Sequence, residues 1–347
     1  MSASGVLLWR PLSLASIGLA FRAPWLARFD RWWIKRQLGS VVKSIAKPNQ
    51  PIVTFVVKIQ QYYLRDIVDA DLHCYEVTDE YLVSTSDAQM DSSNPRTILM
   101  SHRERPILIE AELVIVSSGP LLQSRSKHNK NTHYLPNCVE YEHFSQEYPD
   151  WRKIAFDLAN LPQPRLGYAG GFNDLMDLDL LIRLAETHPE TSLVIVGEER
   201  GSLQFRWDDR YQKLKSMANV FFLGHKPYDK LPAYLRGFDV CLLPFLCNEW
   251  IRNSSPNKIY QYLATGKPVV STDFPEARRT EPEVMVATDH AQFISMVDTA
   301  LRSGGEEAIR KRRELAQANS TSARAEAIMK IIRQSLLSSQ DMTTGSD

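Results

Sequence analysis

The sequence has no excess of charge of either sign, because 41 basic residues face 41 acidic ones among 347. This balance argues against a nucleic-acid-binding protein, which usually needs a strongly basic surface. Cysteine is also scarce, and the four thiols lack the paired spacing of zinc or redox motifs. Three of the four lie in apolar sequence surroundings typical of reduced core thiols, so we expect a cytoplasmic protein; the cysteines are Cys74, Cys138, Cys241 and Cys247.

Long apolar runs are missing as well. A membrane-spanning helix needs about 20 consecutive apolar residues, and no stretch of the chain reaches that length. An apolar segment near the start, Gly5 to Phe21, is interrupted by Arg10 and Pro11 and lacks a clear cleavage site of small residues. We therefore predict neither a signal peptide nor a spanning helix.

Acidic residues are almost absent up to Lys58, where Asp30 is the only one. The same region is rich in Trp and Phe, and a helix is predicted from about Ala27 to Ile45. Such a helix could lie on an anionic membrane surface, on the inner face of the plasma membrane, or could equally pack its Trp side chains into the first domain. The aromatic residues concerned are Trp9, Phe21, Trp25, Phe29, Trp32 and Trp33.

Apolar runs of strand length alternate with helical stretches along most of the chain. Before a linker at Tyr141 to Pro164, four runs are found, at Ile52–Val57, Leu72–Val77, Leu113–Val116 and Thr132–Leu135. Six more follow it, at Arg165–Ala169, Leu193–Gly197, Val220–Leu223, Asp239–Pro244, Pro268–Thr272 and Val284–Ala287. This alternation predicts an α/β protein with doubly wound parallel sheets, and the length suits two domains. The first domain is short of strands.

The most informative stretch is Asn253 to Asp273. Ser255 is a good helix N-cap, Pro256 suits the first helical position, and Gly266 can end the helix in a left-handed conformation. Together with the run Asp239–Pro244, the stretch reads strand, loop, helix, strand, which is a parallel crossover unit.

The loop before this helix is a candidate phosphate site. In open parallel sheets, ligands bind beyond the carboxyl ends of the strands, where helix N-termini offer backbone donors. The loop brings Arg252, Ser254, Ser255 and Lys258 to that end, which suits a phosphate or diphosphate. The alternative is that Ser255 only caps the helix and Lys258 only extends along the surface.

Two further groups of candidate site residues follow predicted strands. Gly170 and Gly171 end one strand and let a ligand approach the backbone, and Asn173 and Asp174 are predicted caps of the helix that runs to His188. The alternative is that the two glycines serve only the geometry of the turn. Asp79 and Glu80 follow an earlier strand. They are either a site or helix-capping acids in a solvated loop.

Four segments in order carry a resemblance to a known family. They are Leu113 to Phe144, LGYAGGFND (Leu166 to Asp174), Val220 to Asp239, and the Asn253 to Asp273 stretch with its lysine, its Tyr-Leu-Ala and its Gly-Lys-Pro-Val-Val. Over roughly Asp71 to Lys330 the chain resembles GT-B glycosyltransferases of the group 1, family 4-like type found in bacterial polysaccharide synthesis.

The resemblance implies two Rossmann-like domains facing a cleft. The acceptor-side domain is expected at 1–150 in shortened form and the nucleotide-sugar domain at 151–320, with a final helix at 321–337 returning to the first domain and a tail at 338–347. The implied activity moves a hexose from a nucleotide-sugar to a glycan or lipid-linked acceptor, with retention and without a metal ion or other cofactor.

The resemblance also assigns roles to residues. Asp79 or Glu80 would contact the acceptor, Glu198 ends a strand at the donor site, and Leu223 lies where the family offers an apolar wall to the base. Gln261 would hold the donor ribose.

The chain departs from the family at two points. Asn253 and Gln261 stand where many retaining members have two glutamates, and residues 172–177 lack the family's arginine and lysine, so Lys258, with Arg252, must supply the charge for the diphosphate. These departures, with the short first domain, keep open a catalytically silent binding or scaffold protein. A nucleotide-sugar epimerase on the same fold is a further alternative.

Overall fold

The computed structural model describes residues 24–47, 50–59, 65, 68–80 and 95–344. Within these ranges the chain forms two parallel sheets, one before and one after the predicted linker. The sequence also predicts a short helix from Tyr62 to Val68 and a polar loop from Asp87 to Asn94. The helix lies almost wholly outside the described residues, as do the loop and the aromatic residues before residue 24. The predicted domain bounds stay predictions.

The first sheet has four strands that pair in chain order, all parallel. They are β1 (Val53–Val56), β2 (Leu72–Val77), β3 (Leu113–Val116) and β4 (Thr132–Tyr134). Three helices accompany it, α1 (Pro24–Ile45), α2 (Pro95–Glu110) and α3 (Gly119–Arg125). Helix α2 is longer than the helix that the sequence predicts from His102 to Glu110, since it begins at Pro95 and continues through Pro106. The four strands that the sequence predicts before the linker are thus present among the described residues.

Alternate residues of these strands fill two cores, as the two-residue period of a strand requires. On one face Val77 and Val116 pack with helices α2 and α3. On the other, Leu72 and Leu113 pack against Ile332 of the last helix, α16 (Thr321–Thr344). The last helix thus returns to the first domain as predicted.

Helix α16 differs in detail from the prediction. The sequence predicts Thr321 or Ser322 as its cap. Its first turn is instead capped by the Ser320 hydroxyl, which accepts from the Ala323 amide at 3.2 Å. The predicted tail is helical as far as Thr344.

The predicted linker is largely helical, with α4 (Tyr141–Ser145), α5 (Trp151–Ile154) and α6 (Phe156–Ala159). It is fastened to the second domain. Asp157 accepts from Lys226 at 2.6 Å and from the Tyr234 hydroxyl at 2.8 Å, and Arg236 donates to two linker carbonyls. The linker therefore belongs structurally to the second domain.

The second sheet has six parallel strands in the order β10-β9-β8-β5-β6-β7. They are β5 (Arg165–Ala169), β6 (Ser192–Val196), β7 (Val220–Gly224), β8 (Val240–Leu243), β9 (Val269–Thr272) and β10 (Val284–Ala287). All six were predicted, because strands buried on both faces appear as continuous apolar runs. The order reverses between β5 and β8, which opens a crevice at the carboxyl ends of these two strands.

Helices cover both faces of this sheet. In chain order they are α7 (Leu178–Thr187), α8 (Leu203–Arg206), α9 (Asp209–Ser216), α10 (Leu231–Arg236), α11 (Glu249–Asn253), α12 (Lys258–Thr265), α13 (Pro275–Arg278), α14 (His290–Arg302) and α15 (Glu306–Ala318). Helix α12 ends at Gly266, whose φ of 80° is the predicted left-handed stop. None of the described helices combines the length and the apolar character that crossing a bilayer would take.

The four thiols are unpaired, as expected, but only two are core residues. Cys74 and Cys241 are buried, and burial raises the pKa of each thiol to about 12. Cys138 is half-buried and Cys247 is exposed. The expectation of three core thiols is therefore wrong by one.

Candidate functional site

Two glycines form the floor of the crevice. Gly170 follows β5 and Gly197 follows β6, with φ angles of 151° and 148° that side chains rarely adopt. The Gly170 amide donates to Val196 O at 2.8 Å, and a Cβ atom placed on Gly197 would lie 1.9 Å from Gly170 O. The two strand ends therefore meet backbone to backbone, which only glycine permits at position 197.

Helix α12 is fixed to the same strand end. The Ala169 amide donates to the Tyr262 hydroxyl at 2.8 Å, so the helix is tied to the last residue of β5. Lys258, the first residue of the helix, then extends over the glycine floor. A Cβ atom on Gly170 would lie 2.0 Å from Lys258 Cε and 2.6 Å from Nζ, and Nζ lies 5.7 Å from the centre of the Tyr168 ring. The predicted meeting of the glycine loop and Lys258 is thus present.

The ammonium of Lys258 is poised for an anion. It makes no ion pair with any residue that the structure describes, and burial lowers its pKa. The first turn of α12 adds backbone N–H groups and the positive end of the helix dipole. A negatively charged group above Gly170 would relieve the cost of this unpaired charge.

The two serines do not take the roles predicted for them. Helix α12 begins at Lys258 rather than Pro256, and Asn257 precedes it without a side-chain cap, so the prediction of Ser255 as N-cap is wrong. The Ser255 hydroxyl instead accepts from the Asn137 amide at 3.1 Å. Ser254 donates to Ile251 O at 3.0 Å. The reason is the short helix α11, which occupies the middle of the predicted loop from Phe245 to Ser255 and leaves both serines buried beside the first domain.

Among the described residues, no hydrogen bond or ion pair joins the Arg252 side chain to the glycine floor. Arg252 is exposed at the end of α11. Its charge acts on Asp273, whose pKa is lowered chiefly by the bonded Arg278 and to a smaller degree by Arg252. Lys258 is therefore the cation of the predicted group that the structure places over the glycines.

The predicted caps Asn173 and Asp174 fasten a loop instead of capping a helix. Asn173 accepts from the Leu175 amide at 3.1 Å, and Asp174 accepts from the Ser202 amide at 2.9 Å. The cap of α7 is Asp177, which accepts from the Leu180 amide at 2.9 Å. The extra residues between the glycine pair and the helix explain this difference.

The other predicted donor residues occupy the rim. Gln261 lies three residues after Lys258 in α12, which places it on the same helix face, and it is half-buried. Leu223 is half-buried near the end of β7. Glu198 is exposed and paired with Arg200 at 2.7 Å. Arg200 was not predicted; it reaches Gly171 from the loop after β6, so that its Cδ lies 3.6 Å from where a Cβ on Gly171 would be.

The two acidic residues after β2, Asp79 and Glu80, have different surroundings. The Glu80 carboxylate is buried and accepts from both terminal nitrogens of Arg125, at 2.7 and 2.8 Å. This pairing, in which Arg125 also binds Glu104 at 3.0 Å, commits Glu80 to the core and does not fit the predicted acceptor role. Asp79 is half-buried, and burial raises its pKa to about 6.

The two domains meet at the carboxyl ends of β3 and β4. The Ser118 hydroxyl donates to Asn253 O at 2.7 Å. The Glu276 carboxylate of α13 accepts from the Gly119 amide at 2.8 Å and from the Tyr134 hydroxyl at 2.6 Å. The second domain, which carries the glycine floor and Lys258, is therefore tied to the first domain at this edge of the first sheet.

Part of the chain is similar in sequence to known proteins. Residues 163–303 match the family model described as glycosyl transferases group 1. A relative in Bacillus subtilis (strain 168), named "Putative teichuronic acid biosynthesis glycosyltransferase TuaH", is 25% identical over 271 residues, which are 73% of this chain and 66% of the relative. The chain thus spans just under two thirds of that relative's length.

Solved structures show the same architecture. Sucrose-phosphate synthase from Thermosynechococcus elongatus superposes with a TM-score of 0.68 at 19% identity, covering 94% of this chain and 81% of that one. Alr3699/HepE of Anabaena in complex with UDP gives 0.64 at 13% identity, covering 87% and 82%. The predicted GT-B fold is confirmed, and residues 163–303 of the second domain are similar to the group 1 glycosyl transferases.

Proposed function

We propose that this protein is a glycosyltransferase that moves a sugar from a nucleoside diphosphate sugar to a glycan or lipid-linked acceptor in cell-surface polysaccharide synthesis. The observation that carries the proposal is the Lys258 ammonium, which lies unpaired among the described residues at the start of α12 and directly over Gly170. The name of the Bacillus relative and the family model support the reaction class and the polysaccharide setting.

In such a reaction, different residues would bind the donor and the acceptor. Lys258 and the first turn of α12 bind the diphosphate and stabilise the negative charge that develops on it as the sugar leaves. Gln261 offers an amide to the ribose, and Leu223 borders the place of the base. Asp79, across the cleft on the first domain, faces the acceptor. Because a fixed lysine and a helix N-terminus supply the positive charge, we propose that transfer needs no metal ion. Retention of the configuration of the sugar is proposed from the family resemblance alone.

Binding of the leaving diphosphate tests the donor site. Titration calorimetry with UDP, GDP, dTDP and ADP is expected to show binding of at least one, and UDP is the first choice because Alr3699/HepE, a solved neighbour, is in complex with it. Lys258→Ala should weaken that binding about ten- to hundredfold, since a charge-assisted contact contributes roughly 1.5–3 kcal/mol, while the free nucleoside binds unchanged. Lys213→Ala, which removes an exposed lysine paired with Glu186, is the control.

Failure of the parent protein to bind any of the four at millimolar concentration would overturn the proposal and favour a scaffold. Transfer itself is then measured with the matching sugar nucleotides and lipid-linked or glycan acceptors. Activity that persists in EDTA, with a product anomer that matches the donor, supports the metal-independent and retaining reaction. Conversion of the sugar nucleotide without any acceptor would instead indicate an epimerase.

We further propose that α1 attaches the protein to an anionic membrane surface. Phe29 and Trp32 are 48% and 52% exposed, with ring centres 5.6 Å apart. Lys35 and Arg36 follow within one turn and are also exposed. Ile34 is buried and Trp33 is half-buried, so one side of the helix packs and the other presents rings beside positive charge. Aromatic rings next to basic side chains suit the headgroup region of a bilayer.

Vesicle sedimentation tests this attachment. The full chain is expected to sediment with phosphatidylserine-containing vesicles and not with neutral ones, and to be released by high salt. Phe29→Ser with Trp32→Ser should abolish binding. The matched control is Phe156→Ser, which removes a ring that is 67% exposed in the linker. Equal binding to neutral vesicles, or unchanged binding by the double variant, would contradict the proposal.

A further inference from the structure

Arg200 stands where the glycine loop lacks a cation of its own. Residues 172–177 contain no arginine or lysine, yet the loop after β6 brings Arg200 alongside. Its Cδ lies 3.6 Å from the position of a Cβ on Gly171, an ordinary contact distance. The Arg200 side chain therefore packs beside Gly171, as the Lys258 side chain packs over Gly170.

The backbone fixes this placement. The Phe172 amide donates to Glu198 O at 2.9 Å, and the Arg200 amide donates to Phe172 O at 2.8 Å. These two bonds join the glycine loop to the next loop as a short parallel bridge. Arg200 is thus delivered by main-chain pairing, and its place does not depend on the side chain alone.

The Arg200 guanidinium has hydrogen-bond donors that no described residue uses. Its Nε donates to Glu198 at 2.7 Å, and both side chains are more than half exposed, at 65% and 54%. An ion pair this exposed contributes little and exchanges readily. Within the described part of the chain, the two terminal nitrogens of Arg200 have no hydrogen-bond partner. These two terminal nitrogens, whose spacing matches that of two phosphate oxygens, can therefore donate to a phosphate.

We propose that Arg200 binds the diphosphate of the donor together with Lys258, so that one cation lies on each side of the Gly170–Gly171 loop. This inference rests on the proposed function, because it assigns a second ligand to the same site. A nucleoside diphosphate carries more than one negative charge, and a single lysine leaves part of it unpaired. Arg200 would then replace the basic residues that the glycine loop lacks.

Binding by substituted proteins tests the assignment. The probe is whichever of UDP, GDP, dTDP and ADP the parent binds, with its nucleoside as reference. Arg200→Met is expected to weaken diphosphate binding about tenfold and to leave nucleoside binding unchanged, and Arg200→Lys should restore part of the loss. Glu198→Gln, which frees the guanidinium, should leave diphosphate binding equal or tighter.

The matched control is Arg310→Met. Arg310 is 56% exposed and paired with Glu307 and Glu314 on α15, near the opposite end of α12, and its loss should change neither affinity. Unchanged diphosphate binding by Arg200→Met would overturn the inference and leave the proposed function standing. An equal loss of diphosphate and nucleoside binding would also overturn it. A parent that binds none of the four probes would instead overturn the proposed function.

Discussion

The carboxylate of Asp79 lies in surroundings that disfavour its charge. Burial raises its pKa to about 6, against about 3.8 when exposed, so the folded state binds a proton more tightly than the unfolded state. Stability is therefore lost as the pH rises from about 4 to about 6, and above that range the protein bears the full cost of a buried charge. A half-buried acid kept at such a cost is consistent with an acceptor contact.

Asp79→Asn is accordingly expected to raise stability and lower activity together. The gain in the free energy of unfolding should be about 1–3 kcal/mol at pH 7.5 and much smaller near pH 4.5, as judged by denaturant unfolding. Sugar transfer should fall at every pH. Asp69→Asn, on an exposed acid of the same domain, is the control. Unchanged or lower stability at pH 7.5 would show that the Asp79 carboxylate is well solvated or paired.

The sequence predicts the position of a side chain well when the contacts that fix it are close in the chain or follow from the strand order. It predicts the position poorly when those contacts come from distant segments. Lys258 was predicted because its helix and the glycine loop each follow a strand, and parallel strands bring such points together. Ser255 was predicted as a cap from local propensity, but its hydroxyl bonds to Asn137, which is 118 residues away. Arg200 was missed because nothing local shows that its loop pairs with Phe172.

Three glycines lie close together at the ends of the paired strands β5 and β6, and they differ in the space that a side chain would find. At Gly197 a methyl group would meet the Gly170 carbonyl at 1.9 Å, and backbone cannot move aside. At Gly170 it would meet the end of the flexible Lys258 side chain at 2.0 Å, at a φ of 151°. At Gly171 the nearest atom is Arg200 Cδ at 3.6 Å, which is ordinary contact.

Alanine at each position should therefore have a different outcome. Gly197→Ala is expected to cost the most stability, roughly 2–4 kcal/mol, since a positive φ and a backbone clash combine. Gly170→Ala should cost less stability but abolish diphosphate binding by displacing Lys258. Gly171→Ala should resemble the parent in stability. Thermal unfolding and calorimetry of the three variants check this order, and equal stability of the three would contradict the packing described at the strand ends.

The strands were predictable for a physical reason that the helix starts do not share. All ten strands were found to within two residues at either end. Most of them are continuous apolar runs because they are buried on both faces, whereas β1, β4 and β7 are only partly buried. Helix starts depend on which backbone groups the tertiary structure leaves unpaired. Asp177 and Ser320 cap helices whose starts the sequence placed at Asn173 and Thr321, because nearby hydroxyls and carboxylates compete for each role.

The arrangement of the two domains rests on a small set of contacts that no single domain reveals. Glu276 is 2% exposed and lies 142 residues from Tyr134 in sequence, so its bond to that hydroxyl was beyond prediction. Arg279 stacks over the Tyr134 ring at 4.6 Å and lies 3.4 Å from the Glu276 carboxylate. Burial raises the pKa of Glu276, and its two donors from the first domain oppose that rise.

Removing this carboxylate should loosen the contact between domains. Glu276→Ala leaves the Gly119 amide and the Tyr134 hydroxyl without their acceptor, and each buried unpaired donor costs about 1–3 kcal/mol unless water reaches it. The least costly response is for the domains to separate and let water in. We therefore expect a larger radius of gyration for the variant in small-angle X-ray scattering.

The same change should leave the donor site intact, because Lys258 and the glycine floor belong to the second domain alone. Diphosphate binding by Glu276→Ala is expected to stay near the parent value, while transfer falls because the acceptor side is no longer held in place. Glu281→Ala, which removes an exposed acid paired with Arg278, serves as control for both measurements. An unchanged scattering profile with unchanged transfer would show that Ser118 and Asn137 hold the domains together without Glu276.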